Sequence, residues 1–292
     1  MELAKLKKKL LQEELRRQNK ISLRRKLAYA VLLFIAVGGT ALGWYYYNLD
    51  SILAGRFATA EKLLKEQQPQ QAAERFAALQ HNFPSAAIAP EALFRLAEIQ
   101  ELYQRSYREA ILTCTLVERD YPDHPLALVA RERVARIYKE RLHDNERAIT
   151  VYQELVDAGV PHSDRLIYEI ADAYFRENNF EQARIEFEGL IKNYPQSTLV
   201  PEASYRIGVA YALEHQSQAA ELAYRQVVEV FPNDPFAREA QLGLAGVMED
   251  QERLREALTV LEGLVGVYPN QNVLQKRIEQ VRERINKKQK AI

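Results

Sequence analysis

From Asp50 to the C-terminus, apolar residues recur at i, i+3, i+4 and i+7, the spacing of amphipathic helices with one buried face. The pattern predicts helix pairs at 50–66 and 68–82, 87–103 and 106–120, 125–142 and 145–158, 163–177 and 179–193, 199–214 and 216–230, and 236–250 and 253–267. Each pair closes on an aromatic–proline step: Phe83-Pro84, Tyr121-Pro122, Tyr194-Pro195, Phe231-Pro232 and Tyr268-Pro269, with Val160-Pro161 as a variant in the third. Successive prolines are 38, 39, 34, 37 and 37 residues apart, room for two helices of about four turns and two short connections. Pro201 fits the first turn of its helix, where the missing N–H costs nothing. The closing prolines follow the second helix of each pair and stop it. No strand-like alternation of Val and Thr interrupts the pattern, so the chain is predicted to be all-α.

A different pattern precedes the pairs. Leu27–Tyr47 is uncharged and 21 residues long, about what a hydrocarbon core of roughly 30 Å requires. It ends in Trp44-Tyr45-Tyr46-Tyr47, an aromatic belt suited to a membrane interface. Residues 1–26 carry ten Lys and Arg against three Glu, a charge of +7, which leaves −7 on the rest of a neutral chain. Few basic residues follow the span, so the positive-inside rule places the N-terminus in the cytoplasm and the body across the membrane. The leucines at 3, 6, 10, 11 and 15 allow the basic segment to lie on an anionic lipid surface or to act only as a topological flank. A cleaved signal peptide is the rival reading, with Ala41-Leu42-Gly43 as a cleavage site. The long leading segment and long apolar run favour a retained anchor. No cysteine near the span accepts a lipid, and an acidic body argues against nucleic acid as partner.

The residue types within each pair resemble the tetratricopeptide repeat: a small residue where the helices cross, an aromatic three residues later, Ala on the second helix, then large apolar positions and a terminal proline. The fifth pair supplies Gly208, Tyr211, Ala220, Tyr224, Val227 and Pro232. The fourth supplies Ala171, Tyr174, Ala183, Phe187, Leu190 and Pro195, and the sixth Ala245, Met248, Ala257, Leu261, Leu264 and Pro269. The first is weaker, with Ala60, Leu63, Ala72, Phe76, Leu79 and Pro84. The second (Ala97, Gln100, Ala110, Cys114, Val117, Pro122) and third (Ala135, Tyr138, Ala148, Tyr152, Leu155) fit if each holds one extra residue between its helices. Gln100 departs from the aromatic position, and Pro161 falls one residue late.

The resemblance implies a right-handed α-solenoid of about six helix pairs in units 50–84, 87–122, 125–161, 163–195, 199–232 and 236–269. The basic segment 1–26 and the transmembrane helix 27–47 come before it, and 271–288 would be a solvating cap helix or a docking helix after it. Asn193–Tyr211 and Phe83–Ile99, with their longer connectors, are similar to repeats of bacterial envelope proteins, notably the outer-membrane assembly lipoprotein of the β-barrel machinery (BamD-like) and the periplasmic protein of the Tol–Pal system. A membrane anchor followed by periplasmic repeats also resembles an accessory subunit of the secretion translocon.

Candidate chemistry is sparse. His81, His124, His143, His162 and His215 form no His-Glu-x-x-His pattern, and the single cysteine, Cys114, excludes an internal disulfide and multi-cysteine metal sites. No nucleophile elbow, phosphate loop or dinucleotide turn is present. The expectation is therefore no enzyme, no catalytic or metal residues, no cofactor and no small-molecule substrate. A convergent carboxylate pair acting on cell wall is a remote alternative.

In the repeat family, first helices line the concave face. That puts Glu98, Glu101, Glu132, Arg136, Tyr168, Asp172, Arg176, Tyr205, Val209 and Glu239 on a protein-binding surface, while the small and aromatic residues of the motif and its terminal prolines Pro195, Pro232 and Pro269 are packing residues. The resulting expectation is an inner-membrane-anchored scaffold, held in the bilayer by residues 27–47, that binds protein or peptide partners in the cell envelope. A holdase-type chaperone or a translocon subunit is the alternative.

Overall fold

The computed structural model describes residues 2–290; the side chains at 2, 4, 8 and 17–27, which include much of the basic run and Leu27, lie outside the described residues. Among the described residues the chain is all-helical. Helix α1 (Glu2–Tyr47) is followed by α2 (Leu49–Lys65), α3 (Pro69–Asn82), α4 (Ala89–Leu102), α5 (Tyr107–Asp120), α6 (Leu126–Glu140), α7 (Asn145–Asp157) and α8 (Ser163–Arg176). The rest are α9 (Phe180–Asn193), α10 (Val200–Leu213), α11 (Ser217–Val230), α12 (Pro235–Asp250), α13 (Leu254–Gly263) and α14 (Gln271–Lys290). The chain forms two compact units, Met1–Ala92 and Leu93–Ile292, whose boundary falls within α4.

In the first unit, the basic and apolar segments form one uninterrupted helix, α1, rather than two elements. Its part from Ala28 to Tyr47 is 20 residues with mean hydropathy 1.6, long and apolar enough to cross a membrane and unburied by protein. The connection to α2 is the single residue Asn48, whose N–H donates to the Trp44 carbonyl at 3.0 Å and whose side chain bonds the same oxygen at 2.8 Å. Helices α2 and α3 then pair through Leu53, Ala60, Ala72, Phe76 and Leu79, with Phe57 edge-on to Phe76 at 5.0 Å.

In the second unit, consecutive helices pack in series, the order of an α-solenoid. The small residues of the motif make the close approaches. Ala97, Ala135, Ala171, Ala183, Ala220, Ala245 and Ala257 are fully buried, and Phe187 and Tyr224 fill the gaps beside them. The tightest approach is at Tyr224 of α11. A Cβ placed on Gly208 of α10 would sit 2.7 Å from its ring, and one on Gly243 of α12 would sit 2.6 Å from the opposite end. Gly208 was legible as a crossing residue, but Gly243 was not. The terminal prolines Pro195, Pro232 and Pro269, expected among the packing residues, are instead exposed. They act on the backbone of the residue before them, which proline drives out of the helical region.

Each first helix ends in the same way. A residue with positive φ stands at Gln67, Arg105, His143, Asn178, His215 and Glu252, and none of these is glycine. In four units the next N–H reaches back over the turn: Gln68 to the carbonyl of Leu63, Asn179 to Tyr174, Gln216 to Tyr211 and Arg253 to Met248, all at 2.8–2.9 Å. These are Schellman closures, and their acceptors are the residues at the motif's aromatic position. In the second and third units the bond spans one residue more, Ser106 to Gln100 and Asp144 to Tyr138, both at 2.8 Å. The extra residue is thus absorbed in the cap, and both helices keep their faces. Gln100, without a ring, accepts a hydrogen bond from buried Thr113 at 2.7 Å.

The sequence pattern overruns at one helix. α13 stops at Gly263 instead of 267, and the following turn passes through Gly266 at φ +83°. α14 covers the open end with Leu274, Ile278 and Val281, packed on Ala245, Leu261 and Leu264.

Two outcomes are expected. Gly208→Ala and Gly243→Ala should each lower unfolding free energy by about 1–3 kcal/mol in urea titrations, although alanine is the better helix former. In a Tyr224→Ala background the same changes should be neutral or stabilising. His215→Gly should raise stability by roughly 0.5–1 kcal/mol, because glycine removes the left-handed strain at the helix end.

Candidate protein-binding face

The candidate face is built from the first helices of the second unit: α4, α6, α8, α10 and α12. Their polar residues are joined across helices by contacts about one repeat apart in sequence. Arg133 of α6 donates to Glu98 at 2.8 Å and Glu101 at 2.7 Å on α4, and its guanidinium lies 5.2 Å from the centre of the Phe94 ring. Lys139 of α6 binds Glu169 and, at 2.8 Å, Asp172 on α8. Asp172 also accepts from Arg176 at 2.9 Å and from Arg206 on α10. The Arg206 guanidinium in turn lies 4.5 Å from the Phe175 ring centre. Tyr168 of α8 donates to Glu202 of α10 at 2.5 Å. Tyr205 of α10 lies 5.6 Å, ring to ring, from Phe236, just ahead of Glu239 on α12. Arg277 and Arg284 of α14 continue the series onto Glu249 at 2.8 and 3.2 Å.

The ten residues expected on a binding surface therefore have different fates. Glu101 and Asp172 are buried in ion pairs and are not free to meet a partner. Glu98 is half-buried between Arg95 and Arg133. Tyr168 and Glu239 are half-buried and hydrogen-bonded, the latter to Tyr268 at 3.3 Å. Tyr205 and Val209 pack at the edge of the Tyr224 cluster. Glu132 and Arg136 are half-buried, and Arg176 is exposed. Glu132 and Tyr168 share a groove of about 640 Å³ with Leu128 and Val129. The cations Arg133, Lys139 and Arg206 escaped sequence reading. The signal for them was an opposite charge one repeat away: Arg133 to Glu101 spans 32 residues, Lys139 to Asp172 spans 33, and Arg206 to Asp172 spans 34.

Two titratable groups report on this interior. Burial pushes the Cys114 thiol up to about 12, Arg133 pulling it down and Glu101 and Glu98 adding to the rise. At Asp172, burial pushes the carboxyl up. The Lys139 hydrogen bond and the charges of Lys139 and Arg206 outweigh it and hold the group below the ordinary carboxylate range.

Residues 137–198 and 205–272 match a tetratricopeptide repeat family model. The fold is similar to that of a tetratricopeptide repeat protein from Parabacteroides merdae, with TM-score 0.55 and 18% identity over 79% of this chain and 87% of that one. It is also similar to PilW, a widely conserved type IV pilus biogenesis factor, with TM-score 0.50 and 15% identity over 78% of this chain and 98% of that one. No curated protein sequence matches the chain.

The carboxylate of Asp172 has a lower pKa folded than the roughly 3.9 of an unfolded aspartate, so its contribution is present above that pH and is lost as pH falls through the folded value. The unfolding midpoint should therefore drop on acidification below about pH 4. Asp172→Asn should cost about 3–5 kcal/mol at neutral pH by leaving Lys139 and Arg206 short of charge, and should flatten the acid limb. A maleimide reagent at pH 8 should leave Cys114 unmodified in the folded protein and label it on unfolding in urea.

Proposed function

We propose that this chain, which carries tetratricopeptide repeats, is a non-enzymatic scaffold. In this reading it is anchored in the inner membrane by residues 27–47, its N-terminus is cytoplasmic and its repeat array is periplasmic. Proteins with such repeats are generally protein-binding scaffolds, and the aromatic and charged first-helix face suits an extended segment or a helix of a partner. The observation that carries the anchored reading is the apolar stretch Ala28–Tyr47. It is unburied, follows a basic flank, and is joined to the first repeat helix by one residue. A retained anchor confines the array near the membrane, which raises its effective concentration for membrane-bound partners. That setting fits envelope biogenesis, secretion or division.

Reporter fusions after Ile292 test the topology. Alkaline phosphatase fused there is expected to be active; activity only from a cytoplasmic reporter would overturn the orientation. An N-terminus in the mature protein beginning after Gly43 would convert the anchor into a signal peptide. Photo-crosslinking from Tyr168 and Tyr205 in native membranes is expected to capture one or two proteins at stoichiometric yield. Capture of many unfolded chains would instead indicate a holdase.

A further inference from the structure

The third unit closes differently from the others, and the groove beside Leu128 lies at that closure. In five units an aromatic residue closes the unit, its N–H bonded to the carbonyl of the last buried apolar residue; in four of them it caps the second helix, and in the sixth unit Tyr268 lies in the turn beyond α13. These pairs are Phe83 on Leu79, Tyr121 on Val117, Tyr194 on Leu190, Phe231 on Val227 and Tyr268 on Leu264, at 2.8–3.1 Å. In the second unit of the chain, Tyr121, Tyr194, Phe231 and Tyr268 pack against the adjoining core clusters. At the same register after Leu155 stands Gly159, with φ +66° and nothing within 4 Å of where a Cβ would be. A second apolar position is changed beside it. Nine residues before the crossing residue, other first helices have Ile88, Leu126, Leu199 and Phe236, where the fourth pair has His162, exposed and at φ +63°.

The groove of about 640 Å³ has Leu155, Val160 and Leu199 along its lining and Leu128 and Val129 on its rim. Leu128 and Val129 are adjacent on α6 and 45% and 46% exposed. Leu166 also lines the groove. The charged lining is mostly acidic: Glu132, Asp164 and Glu169 against Arg165. Asp164 accepts a hydrogen bond from Ser197 at 2.6 Å, and Glu169 is matched by Lys139. Glu132 has no ion pair among the described residues and is left to face an incoming charge.

We propose that this groove is a socket for a protein partner, receiving an aromatic or leucine side chain with a Lys or Arg close to it in the partner's sequence. The partner's side chain takes the place of the aromatic that the chain supplies to itself at its other closures. The basic residue meets Glu132 and Asp164. The proposal rests on the scaffold reading above and narrows it to one place and one ligand chemistry.

The test is selection of random peptides of about twelve residues, displayed on phage, against the full chain in detergent. The selected peptides are then synthesised, and their affinities measured on wild type and two variants. Leu128→Glu/Val129→Glu puts charge on the rim at exposed positions, and Val160→Phe returns a ring to the socket from within. Thermal melts check that both variants remain folded. Enriched peptides are expected to share an aromatic or leucine with Lys or Arg within one helical turn, and to bind each variant about ten-fold or more weakly. Failure to enrich any sequence overturns the socket, as do acidic consensus sequences and peptides that bind the folded variants as tightly as wild type. Equal binding to variants and wild type leaves the scaffold reading standing, whereas no enrichment together with no crosslinked partner at Tyr168 or Tyr205 removes both. A concentration-dependent dimer in sedimentation velocity that disappears in Leu128→Glu/Val129→Glu would show that a second copy of this chain is the occupant, and would also overturn the proposal.

Discussion

The structure depends on helix backbones coming close enough for one large side chain to bridge three helices. Tyr224 shows the requirement in its sharpest form. Its ring lies where a methyl group on either Gly208 or Gly243 would overlap it, so α10, α11 and α12 are fixed relative to one another at a single ring. Elsewhere alanine stands at the crossing, with Phe76, Cys114, Tyr152, Phe187 or Leu261 buried at the position that Tyr224 holds here. A lone helix pair has no second surface on which to bury its other apolar stripe. Stacking is therefore a condition for folding, and α14 covers the last open stripe with Leu274, Ile278 and Val281.

Buried charges add a second constraint on register along the stack. The buried charges are directional. Arg133, Lys139 and Arg206 each find carboxylates one repeat away, and a displaced helix would leave an ion without its partner in a poorly solvated place. Such pairs contribute little net stability relative to apolar replacements, but separating them is expensive. Aromatic faces beneath Arg133 and Arg206 hold the guanidinium planes in place as well.

Much of this was readable from the chain. The crossing residues Ala171, Gly208 and Ala245 and the ring of Tyr224 follow from local periodicity, because each motif position recurs in several units. Helix ends were readable at the aromatic–proline steps after α3, α5, α9 and α11, but the reading overran at α13, where Gly263 and Gly266 end the helix ahead of Tyr268-Pro269. The candidate face was less legible. Amphipathic spacing shows that Asp172 and Glu101 belong to first helices, but it cannot show that a cation from the neighbouring repeat has claimed them. That depends on pairing at a distance of about one repeat, which a helical wheel does not contain.

The cap geometry at the first helices has a consequence for how such a chain can change over generations. A closure spanning five residues at Gln216 or Asn179 and six at Ser106 or Asp144 leaves the following helix with the same face inward. A joint of either length is therefore compatible with the same stacking. One codon gained or lost within either helix would rotate every later side chain by about 100°. Length variation in arrays of this kind should accumulate at the joints, and descendants of one ancestral repeat would drift out of strict periodicity without ceasing to stack.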